Sequence, residues 1–304
     1  MNRSLLEVES DYELIVMVTP AVPLHVLQSL RDQGCNVRLV LPAALPAGRG
    51  GSPEYACERF ADCWVKLRMW EWDDEYEQVV YLDADMLVLR NMDELLRQNL
   101  GAASRPTNVA SQHGKSTPSS EQSSGMDQES DEWSIRAVQE CFCPVRERRH
   151  LCPYEMLASQ QHDQHASVPE EQSYFNAGLM VLRPSQRLAS LMQEALSACD
   201  LSEFPFAEQD FLNVFFRGKW GRLPWHYNAN KAIYACHRDS VWDYATVKNV
   251  HYTMAKPWDL KNPCNKGYEA LNSLWWAAFA EPATMSRILF ELYKKDKKRR
   301  REME

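Results

Sequence analysis

The chain has 304 residues, 45% hydrophobic and 25% charged, with a formal net charge of −8. That length fills one large core or two small ones, and the acidic balance excludes a general nucleic-acid binder. No run of about eighteen apolar residues exists to span a membrane. The start, MNRSLLEVESDYE, has no apolar h-region, so no signal peptide is expected. Nine cysteines, an odd number without a compact framework, read as free thiols in a reducing compartment, which points to the cytoplasm.

Taken in chain order, residues 13–18 (ELIVMV) read as a strand ended by Thr19-Pro20. Residues 24–32 have helical spacing and stop at Gly34, and 36–41 (NVRLVL) form a second strand. Residues 42–53, rich in Pro, Gly and Ala, are a loop. Helical apolar spacing returns over 58–74 through Phe60, Trp64, Leu67 and Trp70. The run 79–82 (VVYL) is continuous, apolar and β-rich, the pattern of a strand buried in a parallel sheet. Residues 101–131 are polar and Ser/Gln-rich and cannot bury enough surface to offset their ordering entropy. They read as a disordered insertion whose deletion leaves the melting temperature nearly unchanged. Beyond it, 174–183 is a strand, 188–199 a helix, 208–216 a helix with acidic residues in its first turn, and 247–251 a short strand ending on a histidine. Residues 291–304 read as a charged, solvated and disordered tail. Alternating strands and helices predict one α/β domain over 1–290, a mostly parallel mixed sheet flanked by helices.

Ligands of such sheets bind at the carboxyl ends of strands, where Asp83 and Asp85 sit. Side chains at i and i+2 share a face of an extended backbone, so the two carboxylates lie side by side between apolar segments. There they lose hydration and repel each other, and they need a cation or donors. A hard divalent ion, Mn²⁺ or alternatively Mg²⁺, fits such oxygen ligands. A turn or a helix cap is the competing reading of Asp-x-Asp alone. In 251–258 (HYTMAKPW), His251 at a strand end can complete a metal site, and Lys256 can meet a diphosphate as a point charge. Taken singly, these two are equally a core histidine and a surface lysine.

Four segments in order, WVKLRMWEW…VVYLDADMLVLRNMDELL, YFNAGLMVLRPS, FAEQDFLNVFFRGKWGRLPWHYN and HYTMAKPW, make the chain resemble glycosyltransferase family 8, which includes glycogenin and galactinol synthase. AEQDFLN and LPWHYN look closer to the galactinol-synthase-like members. The resemblance implies the GT-A nucleotide-sugar fold and a metal-dependent transfer of a hexose from a UDP-sugar, with retained anomeric configuration, to a hydroxyl acceptor, a small polyol or sugar. It implies that Asp83, Asp85 and His251 hold Mn²⁺ against the donor phosphates, with Ala84 between the two carboxylates. Lys66 and Lys256 would contact the diphosphate or the transferred sugar. Asn176, Ala177 and Gly178 would line the sugar pocket, and Glu208 and Gln209 would stand near the sugar hydroxyls and the anomeric carbon. Arg59 is a further candidate for the nucleotide pocket. The assemblies compatible with it include a homodimer, and it implies no nucleic-acid partner.

Two departures stand out. The family opens with a strand and a loop bearing a Thr and a Tyr that hold uracil, then a helix ending in Ser-Leu. Here Ser4-Leu5 falls at that helix end, so the first strand is expected to be missing. The loop from His251 to Lys256 lacks the glycine usual in glycogenin and is one residue shorter. Tyr234, seven residues after Tyr227, lies near where glycogenin places its self-glucosylated tyrosine, which gives a self-priming alternative. A non-catalytic binding protein is the third reading. Cys141-x-Cys143, His150-x-Cys152, His162 and His165 match no standard zinc spacing, and the tryptophans read as core.

Overall fold

The computed structural model describes residues 1–46, 55–97, 135–155, 173–280 and 282–303. The segment 101–131, read above as an insertion, lies outside the described residues. Strands β1 (Ile15–Val18) and β2 (Asn36–Leu39) pair in parallel, joined by the helix Leu24–Asp32. A second sheet has the order β3-β6-β5-β7, formed by Val79–Leu82, Phe175–Leu182, Ile135–Gln139 and Gly221–Leu223. A third has the order β4-β9-β8, formed by Met86–Val88, Asn249–His251 and Ala229–Asn230.

The α/β class holds, but the sheets are mixed rather than mostly parallel. β6 runs antiparallel to both β3 and β5, and β4 antiparallel to β9, while β5–β7 and β8–β9 are parallel. The run 79–82 is therefore neither in a parallel pair nor fully buried; it ends the order of its sheet and is half-buried. A continuous apolar run reports covered faces, not strand direction, and β6, buried along its whole length, gives the same signal.

The segment Glu58–Glu71 forms consecutive 3₁₀ turns instead of an α-helix. Trp64, Leu67 and Trp70 recur every third residue, which aligns them on one face at three residues per turn. That face, with the helices Gln186–Ala198 and Glu208–Phe215 and strand β6, builds the largest core cluster. Most tryptophans are core as expected, with Trp64, Trp70 and Trp242 fully buried.

The charged tail departs from expectation. Residues 282–303 form one helix, Pro282–Met303. Its buried Asp296 accepts from Arg299 Nη2 at 3.1 Å and Arg300 Nε at 3.3 Å, and Arg300 also donates to the Trp242 carbonyl. Paired charges with apolar stems can pack, where the same composition read along the chain looks like a solvated run.

Candidate active site

Register brings the acidic pair to the histidine. The Asp83 N–H donates to Gly178 O at 2.8 Å, extending the β3–β6 ladder by one residue. The chain then turns at exposed Ala84 and enters β4, where Met86 is paired with His251. The Tyr252 N–H donates to Asp85 O at 3.0 Å, so Asp85 and His251 are held across one antiparallel pair. His251 Nε2 lies 3.2 Å from Asp85 Oδ1 and 3.5 Å from Asp83 Oδ2.

A chain of hydrogen bonds fixes the imidazole. Asn176 Oδ1 accepts the Gly178 N–H at 2.9 Å, and Asn176 Nδ2 donates to the Glu140 carboxylate at 2.6 Å. A backbone N–H only donates and a carboxylate only accepts, so the orientation of Asn176 is set. Asn228 Nδ2 donates to the same Asn176 Oδ1 at 2.8 Å, which leaves Asn228 Oδ1 facing His251 Nδ1 at 2.9 Å. Nδ1 therefore carries a proton and donates to Asn228, which leaves Nε2 as the ring nitrogen that faces the two carboxylates. Two carboxylates and an imidazole nitrogen with their ligand atoms within 4.8 Å of one another form a cluster where a metal ion can sit. The donor set of two carboxylates and one imidazole fits a Mn²⁺-like ion. Glu140 and Asn228 were not singled out from sequence. Asn228 closes the motif LPWHYN, a usable signal; Glu140 follows a five-residue strand and carries none.

Gly178 explains why the ring fits. A Cβ built there would stand against His251 Cε1, 2.7 Å from Nδ1 and 2.8 Å from Asn176 Oδ1. The expected result of Gly178→Ala is a displaced imidazole. Overpacking of this kind costs about 1–3 kcal/mol, read in urea denaturation, together with weaker Mn²⁺ binding at the Asp83–Asp85–His251 cluster. Unchanged stability and unchanged affinity would contradict this placement.

Lysines flank the carboxylates on both sides. Lys256 Nζ pairs with Asp85 Oδ2 and donates to Tyr252 O at 2.9 Å. Burial disfavours the Asp85 charge, but His251 and Lys256 outweigh it and hold its carboxyl well below the usual range. Lys66 is buried, with Nζ 3.0 Å from Asp83 Oδ1, 2.7 Å from Glu208 Oε1 and 3.3 Å from Ala177 O. Burial pulls its pKa down, and Asp83 and Glu208 more than reverse that, leaving it well above the ordinary lysine value. Burial raises Glu208 in spite of Lys66.

Gln209 Oε1 accepts the Ala177 N–H at 2.9 Å, and its Nε2 donates to Tyr174 OH at 3.2 Å. The residue before Glu208, Ala207, has φ +50°, and Met254 in the His251–Lys256 loop has φ +58°. Met254 thus takes the left-handed conformation that a glycine adopts without strain, which is how this loop dispenses with one. Arg59 donates to Met254 O at 3.2 Å and braces the same loop. All the candidate residues cluster around the ends of β3, β6 and β9. Lys66, Asn176 and Gly178 face protein groups there rather than an open pocket.

The sequence profile described as "Glycosyl transferase family 8" matches residues 3–261. Galactinol synthase 4 of Arabidopsis thaliana is 30% identical, over 92% of this chain and 75% of its own length. Galactinol synthase 1 of Ajuga reptans is 29% identical with the same two coverages. Among solved structures, galactosyltransferase LgtC, crystallised with donor and acceptor sugar analogues, superposes with a TM-score of 0.53 at 19% identity, covering 95% of this chain and 89% of its own. The glycosyltransferase GlyE of Streptococcus pneumoniae TIGR4 gives 0.53 at 17% identity, covering 97% and 60%. Among the described residues no helix is long and apolar enough to cross a membrane. The profile match across most of the sequence, with relatives similar over three quarters of their length, makes this chain a member of glycosyltransferase family 8, built on the GT-A fold.

Proposed function

We propose that the protein is a metal-dependent, retaining hexosyltransferase that moves a hexose from a UDP-sugar to a hydroxyl of a small polyol. The observation that supports this reading is the convergence of Asp83, Asp85 and His251 Nε2, with Lys256 beside them. Asp83, Asp85 and His251 would hold Mn²⁺ or Mg²⁺. When bound, the ion supplies Lewis-acid neutralisation of the charge developing on departing UDP. Lys256 adds a second positive charge on that side, and Lys66 pairs with Asp83. Glu208 is paired with buried Lys66. In this reading, which follows the family resemblance, the acceptor oxygen forms its bond to the anomeric carbon on the face from which the phosphate oxygen leaves. The acceptor proton passes to that phosphate oxygen, and configuration is retained.

The relatives named galactinol synthase favour galactose as the hexose and a cyclitol such as myo-inositol as the acceptor. None of the nine cysteines is in a disulfide, which fits a cytoplasmic location. Tyr234 is 3% exposed, packed 5.1 Å from Trp242 and 6.4 Å from Tyr244 between ring centroids, so it presents no hydroxyl to a donor as a self-priming site. UDP-glucose, UDP-galactose and UDP-glucuronate, each with myo-inositol, simple sugars or no acceptor, provide the test. UDP release that needs Mn²⁺ and is fastest with UDP-galactose and a polyol is the expected result. Hexose gain in the intact mass without acceptor would favour a self-priming enzyme. No turnover or donor hydrolysis in any arm would favour a binding protein.

A further inference from the structure

Away from the acidic triad, three cysteines and a histidine meet. Cys143 Sγ lies 3.2 Å and Cys152 Sγ 3.4 Å from His237 Nε2, and Cys152 Sγ lies 3.8 Å from Cys141 Sγ. One ligand atom from each of the four falls within 4.8 Å of the others. Cys141, Cys152 and His237 are buried, Cys152 completely. We propose that Cys141, Cys143, Cys152 and His237 form a structural zinc site.

Three of the spacings match edges of a zinc tetrahedron. Zn–S bonds of about 2.3 Å put two sulfurs about 3.8 Å apart, and a Zn–N bond of about 2.0–2.1 Å puts nitrogen and sulfur about 3.5 Å apart. A disulfide needs sulfurs about 2.05 Å apart, and all these cysteines are free. Four protein ligands leave no open position, which marks a structural rather than a catalytic ion. On the far side of the imidazole, Glu155 Oε2 stands 3.9 Å from Nδ1. His150, picked out by its place beside Cys152, is exposed, and His162 and His165 lie outside the described residues. The true nitrogen ligand follows Cys152 by 85 positions, so spacing could not find it.

The ion would hold a stretch that has little structure of its own. From Cys141 to Cys152 the regular structure is the 3₁₀ turn Arg146–Leu151, while His237 caps the helix Lys231–Cys236. Joining them pins the exit of β5, where Glu140 accepts from Asn176 and from Asn230 at 3.0 Å. The zinc would thus stand behind the hydrogen-bond chain that orients His251, without touching substrate.

The test uses the full, tag-free chain purified in reducing buffer and dialysed against EDTA, with metals measured by mass spectrometry. About one zinc per chain is expected to remain. Cys152→Ser should lose it, with a melting temperature lower by several degrees. Cys236→Ser, at the exposed neighbouring thiol, and Asp85→Asn should keep it. If Cys152→Ser does not fold, X-ray absorption of the wild-type zinc decides, with about three sulfurs and one nitrogen expected. A chain free of zinc, a mass showing a Cys141–Cys152 disulfide, or zinc lost with Asp85→Asn instead of Cys152→Ser would each overturn the proposal.

Discussion

On the proposed metal-dependent reaction, replacing Asp85 with Asn is expected to lower turnover by about a thousandfold or more, equivalent to about 4 kcal/mol of transition-state stabilisation. Asn keeps the size of the side chain but removes a charge that His251 and Lys256 hold firmly ionised. Without it, one anionic ligand is gone from the triad, and Lys256 loses its ion-pair partner. The backbone bond from Tyr252 N to Asp85 O is untouched, so the fold survives and the melting temperature moves little. Calorimetric titration of UDP should show the loss in saturating Mn²⁺ and almost none in EDTA. Equal UDP affinity of variant and wild type in saturating Mn²⁺ would remove Asp85 from the metal site.

Lys66→Met destabilises the protein by about 3–5 kcal/mol at neutral pH. The methionine fills the channel of the lysine stem but leaves Glu208, 3% exposed, without its ammonium partner. Asp83 loses the same partner. The deficit depends on pH with a definite sign. Burial raises Glu208 above its unfolded value already in the wild type, and removing Lys66 raises it further. A group with a raised folded pKa contributes stability below its unfolded pKa and loses it as pH rises through the folded value. The gap between variant and wild type is therefore widest at neutral pH and narrows as acid protonates Glu208. Urea denaturation at about pH 7 and about pH 5 measures this. Adding Glu208→Gln to Lys66→Met should recover part of the loss. An equal deficit at both pH values, unrelieved by Glu208→Gln, would show that Lys66 acts by packing alone.

The sequence by itself determined the strand Val79–Leu82 and the helix Leu24–Asp32, and it placed Asp83, Asp85 and His251 at the ends of their segments and Lys256 in the loop after His251. These are local properties. Apolar periodicity and turn residues act over a few positions, and a charged residue at the end of an apolar run is visible without knowing what faces it. Strand direction was not local. β6 reads as buried on both faces whichever way its neighbours run, and it proved antiparallel to β3 and β5.

Only the tertiary structure decided how the site is oriented. Gly178 matters because a ring from β9 lies where its Cβ would be, and the chain Glu140–Asn176–Asn228–His251 joins four segments to fix one proton. Lys66 could be placed near the site from its motif, but its bridging of Asp83 and Glu208 depends on how the 3₁₀ turns pack against β6. The same holds for Cys141, Cys143, Cys152 and His237, and for Asp296, which turns a charged tail into a docked helix. Each of these follows from contact between side chains distant in sequence. Such contacts are set by the packing of whole elements, and no pattern of neighbouring residues along the chain encodes them.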